Sequence, residues 1–164
     1  MSYTITTYLI DKEDIENIWQ CKDQSTFNKL SPHAEEDHQC YLQGIIDGVV
    51  NQEDAWELKL TYISLAKHYG EEYESYLYGD EHNFCIECLM DEDSSFFIPL
   101  PDEEDFPVIK SVEFSEIENL SQHYLSYLEE CNYMQPVKED MAKECQQLIT
   151  TCKEKQKSLI FIYS

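Results

Sequence analysis

His82, Cys85 and Cys88 stand at three-residue steps inside "GDEHNFCIECLMDED" (79–93), with carboxylates crowding both sides. These are residue types that hold zinc, and a structural zinc site needs four of them, usually as two paired half-sites. A fourth ligand would have to come from His33, His38, Cys40 or another distant residue, and the cysteines at 21, 40, 131, 145 and 152 all sit singly. Free cysteine otherwise behaves as a small apolar residue. The stretch therefore reads as a buried turn, with Phe84, Cys85, Cys88 and Leu89 inside and Asp80, Glu81, Glu87 and Asp91 as a solvated rim. A small enzyme or metal-binding module using His82, Cys85 and Cys88 is the alternative.

Other chemistries find less. His33 and His38 flank "AEED" near Cys40, but in so polar a segment they read as solvated side chains rather than ligands. A cysteine–histidine nucleophile pair is easily matched by chance among seven Cys and five His. Surrounding carboxylates would also push a thiolate's pKa up, the wrong direction for a nucleophile. Among 34 acids, no single pair of carboxylates points to glycoside chemistry. "DEDSSF" lacks the spacing and the glycine of a calcium loop. Glycines at 44, 48, 70 and 79 make no phosphate-cradling loop. The expectation is a protein with no catalytic residues, no metal and no cofactor.

Charge is the outlying property. The 164 residues carry 34 acids against 11 bases, a net charge of −23, and every base is lysine. Without arginine, the usual fork for phosphate and guanine, direct nucleic-acid binding is excluded, because backbone affinity comes from cationic contacts. The same sign argument excludes anionic membranes. An apolar share of 42% with 13% aromatics excludes a disordered polyanion. No apolar run approaches the roughly 18 residues of a membrane-spanning helix. "MSYTITTYLIDKEDIE" lacks the basic start of a secretory signal. An odd number of cysteines without a framework pattern points to free thiols in a reducing cytoplasm.

The elements that must position these residues follow from periodicity. "SYTITTYLI" (2–10) predicts a first strand, after which Asp11 caps a short helix with Ile15, Ile18 and Trp19 on one side. Residues 21–36, polar and containing Pro32, read as a loop. "DHQCYLQGIIDG" predicts a helix that places Cys40 or Tyr41, Gly44, Ile45 and Val49 near the core. The clearest helix starts at Asn51 or Asp54, carries Ala55, Leu58, Tyr62, Leu65, Ala66 and Tyr69, and stops at Gly70. "SSFFIPLP" is extended and edge-like, since Pro99 and Pro101 forbid a helix. "VIKSVEF" (108–114) is a strand, and Ser115 with Glu118 forms a capping box for a helix bearing Ile117, Leu120, Tyr124, Tyr127, Leu128 and Cys131. Pro136 opens the last helix, whose stripe includes Cys145, Leu148, Ile149 and Cys152 and whose end carries Lys153, Lys155 and Lys157. "SLIFIYS" is short and continuously apolar, as a central strand is. The predicted fold is a single α+β domain over residues 1–164, with both terminal strands in one small sheet and the long helices on one face.

This plan, from "MSYTITTYLI" through acidic helices and "FSEIENLSQHY" to "KSLIFIY", resembles the YfbM-like group of bacterial proteins of unknown function. It also resembles a related uncharacterised bacterial family with the same ending and a "PLPDEEDFP"-like loop. The resemblance implies an α+β fold in a bacterial cytoplasm and assigns no catalytic residues. The lysine-free acidic middle departs from it.

That middle holds thirteen acids between Glu71 and Asp105 and no lysine. Clustered like charges repel one another and oppose folding, so their retention points to use. The expected function is that of a non-catalytic, acidic, cytoplasmic binding protein. It would act as an immunity or inhibitor protein that neutralises a basic partner such as a nuclease toxin, or mimics DNA before a nucleic-acid-binding protein. Asp91, Glu92, Asp93, Asp102, Glu103, Glu104 and Asp105 would steer the partner, and Phe106 would anchor it. An accessory protein whose charge serves only solubility is the plainer reading.

Overall fold

The computed structural model describes residues 5–74, 93–102 and 107–163. Its centre is a four-stranded antiparallel sheet of order β2-β1-β4-β3. The strands are β1 (Ile5–Ile10), β2 (Glu71–Glu72), β3 (Val108–Val112) and β4 (Ser158–Tyr163). The helices are α1 (Lys12–Glu16), α2 (Gln24–Leu30), α3 (Gln39–Asp47), α4 (Ala55–Tyr69), α5 (Ile117–Glu130) and α6 (Gln135–Lys155). The fold class is α+β, with the N-terminal and C-terminal strands side by side.

β4, like β1 an inner strand, is apolar at both parities. It pairs with β1 from Ile5 opposite Tyr163 to Ile10 opposite Ser158, and with β3 from Val108 opposite Tyr163 to Val112 opposite Leu159. Every residue of β4 is buried. Successive side chains of a strand point to opposite faces. Ile160 and Ile162 join Tyr8, Ile10 and Ile109 under α1–α4, while Leu159, Phe161 and Tyr163 join Leu9 under α5 and α6. The expectation of long helices on one face is thus corrected: α4 covers one face and α5 with α6 the other. A strand apolar on both sides needs a cover on each.

Local patterns set most of the rest. Ala55, Leu58, Tyr62, Leu65 and Ala66 of the α4 stripe are buried as their spacing predicts, Tyr69 is partly buried, and Gly70 follows the last turn. Residues 21–36 contain a helix rather than only a loop. Asp23 accepts the Ser25 backbone N–H at 3.0 Å and caps α2, and Pro32 sits in a following 3₁₀ turn. In α3 the buried residues are Leu42, Ile45 and Ile46, whereas Cys40 is exposed and Val49 is 65% exposed. The helix ends at Asp47, with Gly48 at φ +71°, so Val49 lies past the turn. The capping box at Ser115 does not form. Ser115 lies in a 3₁₀ turn, Phe114–Glu116, and α5 begins at Ile117 with no side-chain cap bond. Asp11 precedes α1 without capping it; its carboxylate instead pairs with Lys157.

α6 ends on Gln156, a non-glycine residue in the left-handed region at φ 54°. A side chain there costs about 1–2 kcal/mol relative to the right-handed form, a penalty glycine avoids. Gln156 is exposed. Gln156→Gly should therefore raise stability by about 0.5–1 kcal/mol, read as a higher urea midpoint at unchanged slope. A lower midpoint would mean that the glutamine side chain contributes more than its backbone strain removes.

Candidate docking surface

The lysines decide what the acidic surface looks like. Lys12 pairs with Glu113 at 2.6 Å and Glu16 at 3.0 Å, while Lys153 pairs with Glu118, Lys155 with Glu71 and Lys157 with Asp11. These contacts gather where β1 and β3 end, β4 begins and α6 stops. Exposed pairs of this kind contribute little stability each. Their electrostatic consequence is larger, because they hold cations at one pole of the sheet and leave other exposed carboxylates without an ion pair. Glu13, Glu36, Asp37, Asp47, Glu53, Glu72 and Glu74 are exposed, and none has an ion pair among the described residues.

Of the residues expected to meet a partner, Asp93 and Asp102 lie within the described structure, at the two ends of residues 93–102. This segment is extended, as its prolines require, and is tied to the edge of β3. The Ser95 N–H donates to the Ile109 carbonyl at 2.8 Å and the Ser111 N–H to the Ser95 carbonyl at 3.1 Å. The Ile109 N–H donates to the Ser94 hydroxyl at 3.3 Å. From α4, the Tyr62 hydroxyl lies 2.8 Å from the Ser111 hydroxyl and accepts the Phe97 N–H at 3.1 Å. Burial pushes the Tyr62 phenol up to about 12, so it stays protonated. The segment covers an edge that would otherwise expose unpaired backbone.

Two buried lysines hold the ends of this segment. Lys59 of α4 is fully buried, and its ammonium lies 2.7 Å from Asp102 Oδ1, while Asp102 Oδ2 accepts the Ser94 N–H at 2.7 Å. Burial would raise the Asp102 pKa, but hydrogen bonds from Lys59 and Ser94 outweigh it and hold the carboxyl below the usual aspartate value. The Asp102 carbonyl also accepts Gln52 Nε2 at 2.7 Å. Lys110 of β3, buried, donates to the Asp93 carbonyl, whose own side-chain residue is exposed. Asp102 is therefore committed to an internal cation, and Asp93 is presented outward. Lys59 was open to detection from sequence as a charge inside the stripe between Leu58 and Tyr62. Lys110 stands between Val108 and Val112 on one face of β3, a charge flanked by apolar residues at two-residue spacing.

Asp91, Glu92, Glu103, Glu104, Asp105 and Phe106 lie outside the described residues, as do His82, Cys85 and Cys88. His33, His38 and Cys40 do not converge. The His33 ring lies tilted against His68 with centroids 4.1 Å apart, His38 Nδ1 faces Glu35 at 4.0 Å, and the Cys40 thiol points to the Asp37 carbonyl at 3.7 Å. Among the described residues no group of three or more His, Cys, Asp or Glu side chains is placed to hold a metal. Among the described residues Cys21, Cys40, Cys131 and Cys152 are free thiols, and burial pushes Cys152 up to about 12. No helix among the described residues is long and apolar enough to cross a membrane.

Fold and surface together define an α+β protein with a helix-covered antiparallel sheet and a strongly anionic exterior. A family model described as "Domain of unknown function (DUF7691)" matches residues 1–164, and the chain belongs to that family. No curated protein and no solved structure matches it.

Proposed function

We propose that this protein is a non-catalytic, acidic, cytoplasmic binding protein that caps a basic protein partner, as an immunity or inhibitor protein caps a nuclease toxin. The observation that carries the reading is the internal use of the lysines. The chain carries a net charge of −23, while Lys12, Lys59, Lys153, Lys155 and Lys157 are paired with carboxylates of the same chain. Asp91, Glu92, Asp93, Glu103, Glu104 and Asp105 steer the partner in this reading, Phe106 anchors it, and Asp102 holds the neighbouring backbone from behind. Distant kinship with the YfbM-like group belongs to the same proposal; its support is the shared plan of terminal strands around acidic helices.

The test is capture of the partner from the native cell, followed by binding kinetics across ionic strength. Reversing Glu103, Glu104 and Asp105 to lysine, with Asp102 left intact, should slow association at least about 10-fold at low salt, because steering by charge raises on-rates 10- to 1,000-fold. Phe106→Ala should mainly speed dissociation. An acidic partner, or association unchanged by the triple reversal, would reduce the surface charge to a solubilising role.

A further inference from the structure

Beside α4 lies a cleft of about 350 Å³ with walls that are mostly apolar. Trp56, Leu60, Ile63 and Lys67 line it from one stripe of the helix, at spacings of four, three and four residues. That stripe runs about 16 Å at 1.5 Å per residue. Its floor is the cross-strand pair Thr6 and Ile162 of β1 and β4. Trp56 is 40% exposed, so part of its ring is open to a molecule in the cleft.

Lys67 gives the cleft its chemistry. Other lysines have taken partners: Lys29 sits over the Tyr69 ring, Lys138 donates to the Glu129 carbonyl and Lys143 pairs with Asp140, besides the pairs already described. Lys67 has no such partner among the described residues, although the chain holds about three acids for every base. An exposed ammonium at one end of an apolar cleft complements a carboxylate on an apolar body. Volumes of about 300–1,000 Å³ with apolar walls and a few placed polar groups are those of small-molecule sites.

We propose that the cleft beneath α4 binds a small amphipathic carboxylate, its acid group on Lys67 and its hydrocarbon body along Ile63, Leu60 and Trp56. Glu72, the cross-strand neighbour of the cleft-lining Tyr8, opposes an anionic ligand at that point. Distant carboxylates are screened over about 8 Å at physiological salt, whereas Lys67 would be in contact. The proposal does not depend on a protein partner.

Decanoate and decan-1-ol are the probes, titrated by calorimetry and by tryptophan fluorescence into the full chain. Decanoate should bind saturably, and decan-1-ol at least about 10-fold more weakly, as expected for loss of one charge-assisted hydrogen bond. Lys67→Gln should weaken decanoate about 10-fold and leave decan-1-ol unchanged. Lys22→Gln, at a second lysine whose ammonium has no partner among the described residues, should change neither. Thermal unfolding of each variant shows that the fold is retained. No saturable decanoate binding, equal affinity for acid and alcohol, or equal weakening by both lysine variants would overturn the site.

Discussion

Asp102→Ala should destabilise the protein by about 3–5 kcal/mol, the range for removing one partner of a buried ion pair. The ammonium of Lys59 is fully buried, and the substitution removes its 2.7 Å contact with the Asp102 carboxylate. Lys59→Met should cost less, because it removes the buried charge itself, while Asp102 is partly exposed and still accepts the Ser94 N–H. The pH dependence carries a definite sign. The folded pKa of Asp102 lies below the ordinary 3.8, so its contribution is fully present above that value and is lost as pH falls through the folded one. Urea unfolding at pH 7 should show the full loss in Asp102→Ala, and a series taken below pH 4 should show the variant converging on the wild type. Equal midpoints at pH 7 would mean that the pair contributes nothing net. The same reasoning keeps Asp102 out of any charge-reversal set, since reversing it would set a second cation against Lys59.

Phe161→Ala should cost about 3–5 kcal/mol, the usual loss for a buried aromatic ring. Phe161 is 1% exposed and sits mid-strand in β4, opposite Thr7 on one side and Lys110 on the other. Its ring belongs to the core under α5 and α6, where Leu120, Tyr124, Leu148 and Ile149 surround the same face. Pairing on both sides and helices above leave the site little room to collapse around the lost ring. The check is the urea midpoint at constant slope. Stability close to wild type would contradict a central β4 and the two-faced sheet built on it.

The sequence by itself determined the elements whose signals are local. Strands from both ends of the chain, the α4 stripe from Ala55 to Tyr69, the proline-opened α6 and the extended "SSFFIPLP" are all legible from spacing and from Pro99, Pro101 and Pro136. Short signals were weaker. Asp23 with Ser25 marked α2 inside an apparent loop, and Ser115 with Glu118 made a capping box that the Phe114–Glu116 turn supersedes. The acidic surface was legible as composition, but not which carboxylates remain unpaired. That was decided by lysines reaching partners 35 to 146 residues away, such as Lys153 to Glu118 and Lys157 to Asp11. Tertiary structure alone also placed helices on both faces of the sheet, set Lys59 against Asp102, and aligned Lys67 with the apolar stripe of α4 over β1 and β4. Periodicity reports which side of one element is apolar, whereas ion pairs and clefts depend on distances between elements far apart in the chain.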